Sequence, residues 1–151
     1  MDLLYAAIGV ILAIVLSGIG SAFGVAIAST AAAGVITEDP DKFGKTMLLQ
    51  LLPATQGIYG FIVGFLLFIT KITAGGIAEG SGAIYLGLCI PVAVVGLVSA
   101  ILQGKVAAVS IIMVGKRGEL SGRGMTMTVF VEMFALLAFI ISILGVMLYQ
   151  G

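Results

Sequence analysis

The chain has 151 residues, of which 61% are hydrophobic and only 9% charged; seven basic and seven acidic side chains leave no net charge. A soluble domain of this size carries about 25% charged residues, so the composition is that of a membrane protein. Neutrality excludes the basic footprint of a nucleic-acid binder, and the absence of His excludes histidine metal sites and Ser-His or Cys-His nucleophile pairs.

No charge falls between Asp2 and Glu38, between Lys45 and Lys71, or between Glu79 and Lys105. A bilayer span needs about 20 apolar residues, and every backbone group in lipid must be paired within its own segment, so each run predicts a transmembrane helix. The predicted spans are 3–36, 46–71, 80–115 and 124–149. Met1-Asp2 carries no basic stretch ahead of the first apolar run, so Leu3 onward reads as a retained helix rather than a cleaved signal. In that first helix Gly20, Gly24, Ala28 and Ala32 recur every fourth residue, beside a second row of Gly18, Ala22 and Ala26. Such rows let helix backbones approach closely, and here they predict the crowded inner side of a ring of protomers, with packing inside one bundle as the plainer reading. The segment GIGSAFG is not the dinucleotide fingerprint and precedes no strand-helix unit.

The breaks between spans differ in character. TEDPDKFGK (37–45) and GKRGELSGRG (115–124) are charged and hold Lys42, Lys45, Lys116, Arg117 and Arg123, whereas ITAGGIAEGSG (72–82) is Gly-rich with Glu79 alone. The excess of Lys and Arg predicts that 37–45 and 115–124 face the cytoplasm and both termini the outside. The chain thus reads as an all-α membrane protein of two tandem hairpins, 1–76 and 77–151. Each has a long helix rich in small residues, a charged turn and a bulkier helix. Cys89 is single, lies in an apolar run and reads as a small buried hydrophobe.

The fourth span contains Glu132, the one carboxylate within an uncharged run. An ionised side chain at mid-membrane costs about 3 kcal/mol even on permissive scales, so such a residue marks an ion or proton site. Counted from the charged turns at about 1.5 Å per residue, Glu132, Gln103 and Gln56 reach a similar depth, with Thr55 beside Gln56 and Tyr59 one turn away. Pro53 lacks an N–H and disturbs its helix, which predicts a further main-chain oxygen near Leu52. One carboxylate with several neutral oxygens suits a monovalent hard cation; a divalent ion usually takes more carboxylates, and a proton needs Glu132 alone. On this reading the transported ion is Na+, with H+ as the alternative. Gln56 occupies in the first hairpin the place that Glu132 occupies in the second. Lys105 lies about one turn toward the charged loop from Glu132 and reads as snorkelling rather than as its salt-bridge partner.

LQLLPATQGIYGF (49–61), LQGKVAA (102–108) and VEMFALL (131–137), with the glycine-rich first helix, resemble the proteolipid K (c) subunits of bacterial V-type ATPases along the whole chain. The resemblance implies a four-helix protomer of a homo-oligomeric rotor ring in the bacterial cell membrane, non-catalytic within an ATP-hydrolysing or ATP-synthesising complex. It implies Na+ ligation by the Leu52 carbonyl, Thr55, Gln56, Gln103 and Glu132, with Tyr59 hydrogen-bonding the glutamate and no organic cofactor. It also implies a stator protein with half-channels and an arginine, and central-stalk proteins at the cytoplasmic turns. On the residues alone two other functions stay open: a small cation- or proton-coupled exporter that uses Glu132, and a structural tetraspan adaptor for which Glu132 is dispensable.

Overall fold

The computed structural model describes residues 1–150, and every regular element among them is helical. Helix α1 spans Asp2–Glu38. The second crossing, Pro40–Ile72, is a chain of short pieces. A 3-10 turn at Pro40–Lys42 leads into α2 (Phe43–Leu51), a second 3-10 turn at Leu52–Ala54 into α3 (Thr55–Leu67), and a π-helical turn at Phe68–Ile72 closes it. Helices α4 (Gly82–Lys116) and α5 (Ser121–Leu148) form the second hairpin. All four crossings are long and apolar enough to span a bilayer.

The charged stretches expected as turns are mostly helical, so the second crossing starts at Pro40 rather than 46, and α5 at Ser121 rather than 124. One extended residue suffices for each reversal. Asp39 has φ −145° and ψ 92°, its carboxylate accepts the Asp41 N–H at 3.2 Å, and Pro40 follows at the first helical position, where no donor is needed. Arg117 takes the same extended conformation before a 3-10 turn at Gly118–Leu120. The loop at the other end is longer, and there Gly76 and Gly80 adopt positive φ of 83° and 84°, which side chains disfavour.

The most extensive interface in the chain joins α1 to α4, across the two hairpins. Gly20, Gly24, Ala28 and Ala32 are all buried there. A Cβ on Gly24 would overlap the Ala100 carbonyl oxygen, and one on Gly104 would overlap the Gly24 backbone. The row expected to line the inside of a ring is therefore taken up by the chain's own α4, because small residues on both helices bring the two backbones into contact. Of the adjacent row, Ala22 and Ala26 are exposed and Gly18 is half-buried.

Two dry cores result. Ala6, Ala13, Val63, Leu67, Tyr85, Cys89, Val92 and Val146 pack together in one, and Ala28, Ala32, Leu49, Ala107, Ile111 and Val114 in the other. Along the chain, the buried polar residues Gln56, Gln103, Thr128 and Glu132 lie between the segments that build these cores. Outside, large apolar side chains such as Phe130, Phe134 and Leu137 stand exposed, as lipid or a neighbouring protomer requires.

Candidate ion-binding site

Three crossings supply the site. Helix α5 carries Glu132 without interruption, and α4 presents Gln103 from an equally continuous stretch. The second crossing behaves differently. Pro53 cannot donate to the helical ladder, and the chain responds with the 3-10 turn at Leu52–Ala54, in which the Thr55 N–H bonds to the Leu52 carbonyl. That turn brings Leu52, Thr55 and Gln56 to one point facing α5.

Glu132 is 6% exposed and accepts four hydrogen bonds from neutral side chains. Its Oε1 receives the Thr55 hydroxyl at 2.7 Å and the Tyr59 hydroxyl at 2.6 Å. Its Oε2 receives Gln103 Nε2 at 2.7 Å and Gln56 Nε2 at 3.2 Å. Gln56 and Gln103 are fully buried, and Gln56 Nε2 also donates to Gln103 Oε1 at 2.6 Å. The remaining Gln103 amide proton goes to the Thr128 carbonyl at 3.2 Å. Hydrogen bonds to a charged acceptor are roughly twice as strong as neutral ones, which offsets much of the desolvation cost of a carboxylate at this depth.

The two carboxylate oxygens face unlike surroundings. On the Oε2 side, two amide groups supply the protons. On the Oε1 side, Thr55 Oγ1 lies 2.8 Å from the Leu52 carbonyl, 3.4 Å from Gln56 Oε1 and 2.7 Å from Glu132 Oε1. A hydroxyl has one proton, so it can serve only one of these three oxygens at a time. Three oxygens thus converge on Thr55 Oγ1, two of which have a further donor: the Leu52 carbonyl accepts the Thr55 N–H, and Glu132 Oε1 accepts the Tyr59 hydroxyl.

All residues read from the sequence as ligands are therefore brought together, though not all in the expected manner. Leu52, Thr55, Gln56 and Glu132 direct oxygens at one point. Gln103 meets Glu132 through its nitrogen, while its oxygen faces Gln56. Turning the Gln103 amide over would bring its oxygen to the carboxylate. Lys105 is exposed, and the ion pair found among the described residues is Lys42–Asp39 at 3.0 Å, so Glu132 is held by neutral groups alone. Two contributors escape the sequence reading. Thr128, one turn before Glu132, supplies a carbonyl to Gln103, and Ser21 on α1 accepts the Gly57 N–H at 2.7 Å. The only trace either leaves in the sequence is a hydroxyl within an apolar or small-residue run.

At the charged turns, Lys42 donates to the Gly115 carbonyl at 2.6 Å and Lys45 to the Gly118 carbonyl at 3.3 Å. The first turn thereby caps the carboxyl end of α4, where a cation is favoured. At the opposite end the Asp2 carboxylate accepts the Gly82 N–H at 3.1 Å, and Lys71 donates to the Tyr149 carbonyl at 2.8 Å. The two hairpins are thus tied together at both ends as well as along α1 and α4.

The family model for the C subunit of ATP synthase matches the chain twice, over residues 8–67 and 86–145, one match per hairpin. The V-type sodium ATPase subunit K of Enterococcus hirae is 42% identical over 145 residues, covering 96% of this chain and 92% of that protein. The A-type ATP synthase subunit K of Methanocaldococcus jannaschii is 36% identical over 142 residues, 94% of this chain and 61% of that longer protein. Two family matches in tandem, four membrane crossings and a single buried carboxylate on the last of them place this chain in the ATP synthase C-subunit family, as a non-catalytic proteolipid K subunit of a rotary ATPase ring.

Proposed function

We propose that each protomer carries one Na+ at an oxygen cluster made by Leu52 O, Thr55 Oγ1, Gln56 Oε1 and Glu132, with Gln103 joining when its amide turns over. The single observation that supports this most is the convergence of a main-chain carbonyl, an amide oxygen and the carboxylate on Thr55 Oγ1. A proton site requires a titrating carboxyl group and gains nothing from a convergent carbonyl and amide oxygen. The name of the Enterococcus hirae relative, a sodium ATPase subunit, points the same way.

The mechanism follows from charge. In the ring, an ion enters from a half-channel in a stator protein and neutralises Glu132. With its charge cancelled, the site no longer carries the cost of an isolated carboxylate against lipid and can rotate through the bilayer. A stator arginine then competes for Glu132, the ion leaves, and the four side-chain donors retain the carboxylate. Tyr59 takes a share of Oε1, so it steadies the carboxylate without contributing an oxygen to the cluster around Thr55. The turns around Asp39 and Arg117 face the cytoplasm and meet the central stalk. Lys42 and Lys45 of the first turn already tie it to the Gly115 and Gly118 carbonyls of the second, which lets torque pass to the whole protomer.

The test is uptake of radiolabelled sodium into vesicles holding the purified complex, driven by ATP. Uptake should continue or rise with a protonophore present, because the ion moved is sodium itself. Uptake abolished by the protonophore, with proton pumping in sodium-free buffer, would make this an H+ carrier.

A further inference from the structure

We infer that Ser21, on α1, is a positioning residue for the ion site. It never touches Glu132, and it acts by fixing the bend that presents Leu52, Thr55 and Gln56. This inference rests on those residues forming the carrier site.

The geometry is local and specific. Gly57 directly follows Gln56 and stands four residues after Pro53, just past the 3-10 turn. Its N–H donates to Ser21 Oγ at 2.7 Å, and Ser21 is 7% exposed. A Cβ on Gly57 would stand only 3.1 Å from Ser21 Oγ and 3.2 Å from Ser21 Cβ, so glycine permits this seating of α1 on the bend. A bend made by proline persists only where neighbouring groups satisfy the disturbed backbone, and in lipid no water can do so. Ser21 supplies such a partner from a different helix at the residue adjoining a ligand. The second hairpin holds a similar pair. There the Val92 N–H, next to Pro91, donates to Ser142 Oγ at 3.2 Å, but α4 stays helical throughout and no ion ligand adjoins that proline. Ser17, one turn along α1 from Ser21, bonds to its own helix at Ala13 and packs against Gly60 and Gly96, away from the turn.

Loss of the Ser21 hydroxyl leaves a buried N–H without its cross-helix partner. The bend should then relax and move three oxygens relative to Glu132. The experiment uses intact rings in the full complex and follows carbodiimide labelling of Glu132 in an NaCl series, with KCl holding ionic strength constant, together with ATP-driven uptake into vesicles. Ser21→Ala should raise the NaCl concentration for half-protection roughly tenfold, about the effect of one lost hydrogen bond at 1.4 kcal/mol per tenfold. Ring yield and melting temperature should match those of Ser17→Ala, which should keep wild-type protection. Ser21→Thr keeps the hydroxyl and should restore wild-type protection.

An unchanged NaCl midpoint in Ser21→Ala overturns the inference. So does loss of rings in Ser21→Ala, which would make Ser21 helix glue. If NaCl protects wild-type rings no better than KCl, the sodium reading fails separately. The inference is then judged on ATP-driven proton uptake by the complex, which should fall roughly tenfold in Ser21→Ala but not in Ser17→Ala and overturns it by staying at the wild-type rate.

Discussion

In the second hairpin the carboxylate-bearing helix runs unbroken from Ser121 to Leu148, whereas the matching crossing of the first hairpin is interrupted at Leu52–Ala54 and again at Phe68–Ile72. The unbroken helix contributes charge, and the broken one contributes geometry. A regular α-helix consumes its own carbonyls, so it can offer an ion only side chains. In the first hairpin Pro53 disrupts that ladder, and the Leu52 carbonyl comes within 2.8 Å of Thr55 Oγ1. Gln56, buried where Glu132 has its counterpart, adds oxygen without a second charge. Two hairpins matched by one family model thus differ, one holding the buried carboxylate and the other an interrupted crossing, and only their packing brings Glu132 to Thr55, Tyr59 and Gln56.

The largest expected effect lies at the buried carboxylate. Glu132→Gln should abolish transport while rings still assemble, because glutamine keeps the shape and hydrogen-bonding capacity but cannot cycle between charged and neutral forms. Transport and ring yield measured on one preparation check this, and uptake at the wild-type rate would remove Glu132 from the mechanism. Next comes the contact that holds the halves together. Gly24→Leu must push α1 away from the Ala100 carbonyl, at a cost of about 3 kcal/mol or more, so folded protomer and ring should both fall sharply. A substituted ring with unchanged melting temperature would mean that α1 and α4 do not meet at this glycine.

The neutral side chains around Glu132 should respond in a graded way. Gln56→Leu removes an oxygen from the Thr55 cluster and a donor from Oε2, whereas Gln103→Leu removes only contacts on the Oε2 side. Each lost contact costs about 1–3 kcal/mol when desolvated, so both variants should need more NaCl to protect Glu132 from carbodiimide, Gln56→Leu more than Gln103→Leu. The reverse order would put the ion on the Oε2 side. The smallest effect belongs to the charged turn. Hydrogen bonding and attraction from the Lys42 ammonium hold the Asp39 carboxyl below its usual range. That stabilisation is present above the ordinary carboxylate range and is lost as pH falls through the lowered value. The Asp39 side chain is part-exposed, where solvent screens the pair, so wild-type rings and Asp39→Asn rings should differ only slightly in melting temperature at neutral pH and converge in acid. A gap that persists in acid would show that the pair is irrelevant there.

The sequence by itself determined the membrane class, the four crossings, the duplicated plan and the one carboxylate placed inside a span. Gaps in charge set the spans and one carboxylate breaks the last of them, and the energy of burying charge in lipid makes both legible without coordinates. The proline in LLPATQ likewise announced a disturbed helix. What only the tertiary structure decided is where each group points. The row of Gly20, Gly24, Ala28 and Ala32 declares close packing, but a one-dimensional pattern cannot say against which helix, and the answer is α4 of the same chain. Gln103 declares an amide at the right depth, but whether oxygen or nitrogen meets Glu132 depends on Gln56 and Thr128 competing for it. Ser21 is one small residue among many in α1, and its role arises because Gly57 lets it reach a backbone amide on another helix. Periodicity and charge are properties of the chain, whereas a hydrogen-bond partner belongs to the packed protomer.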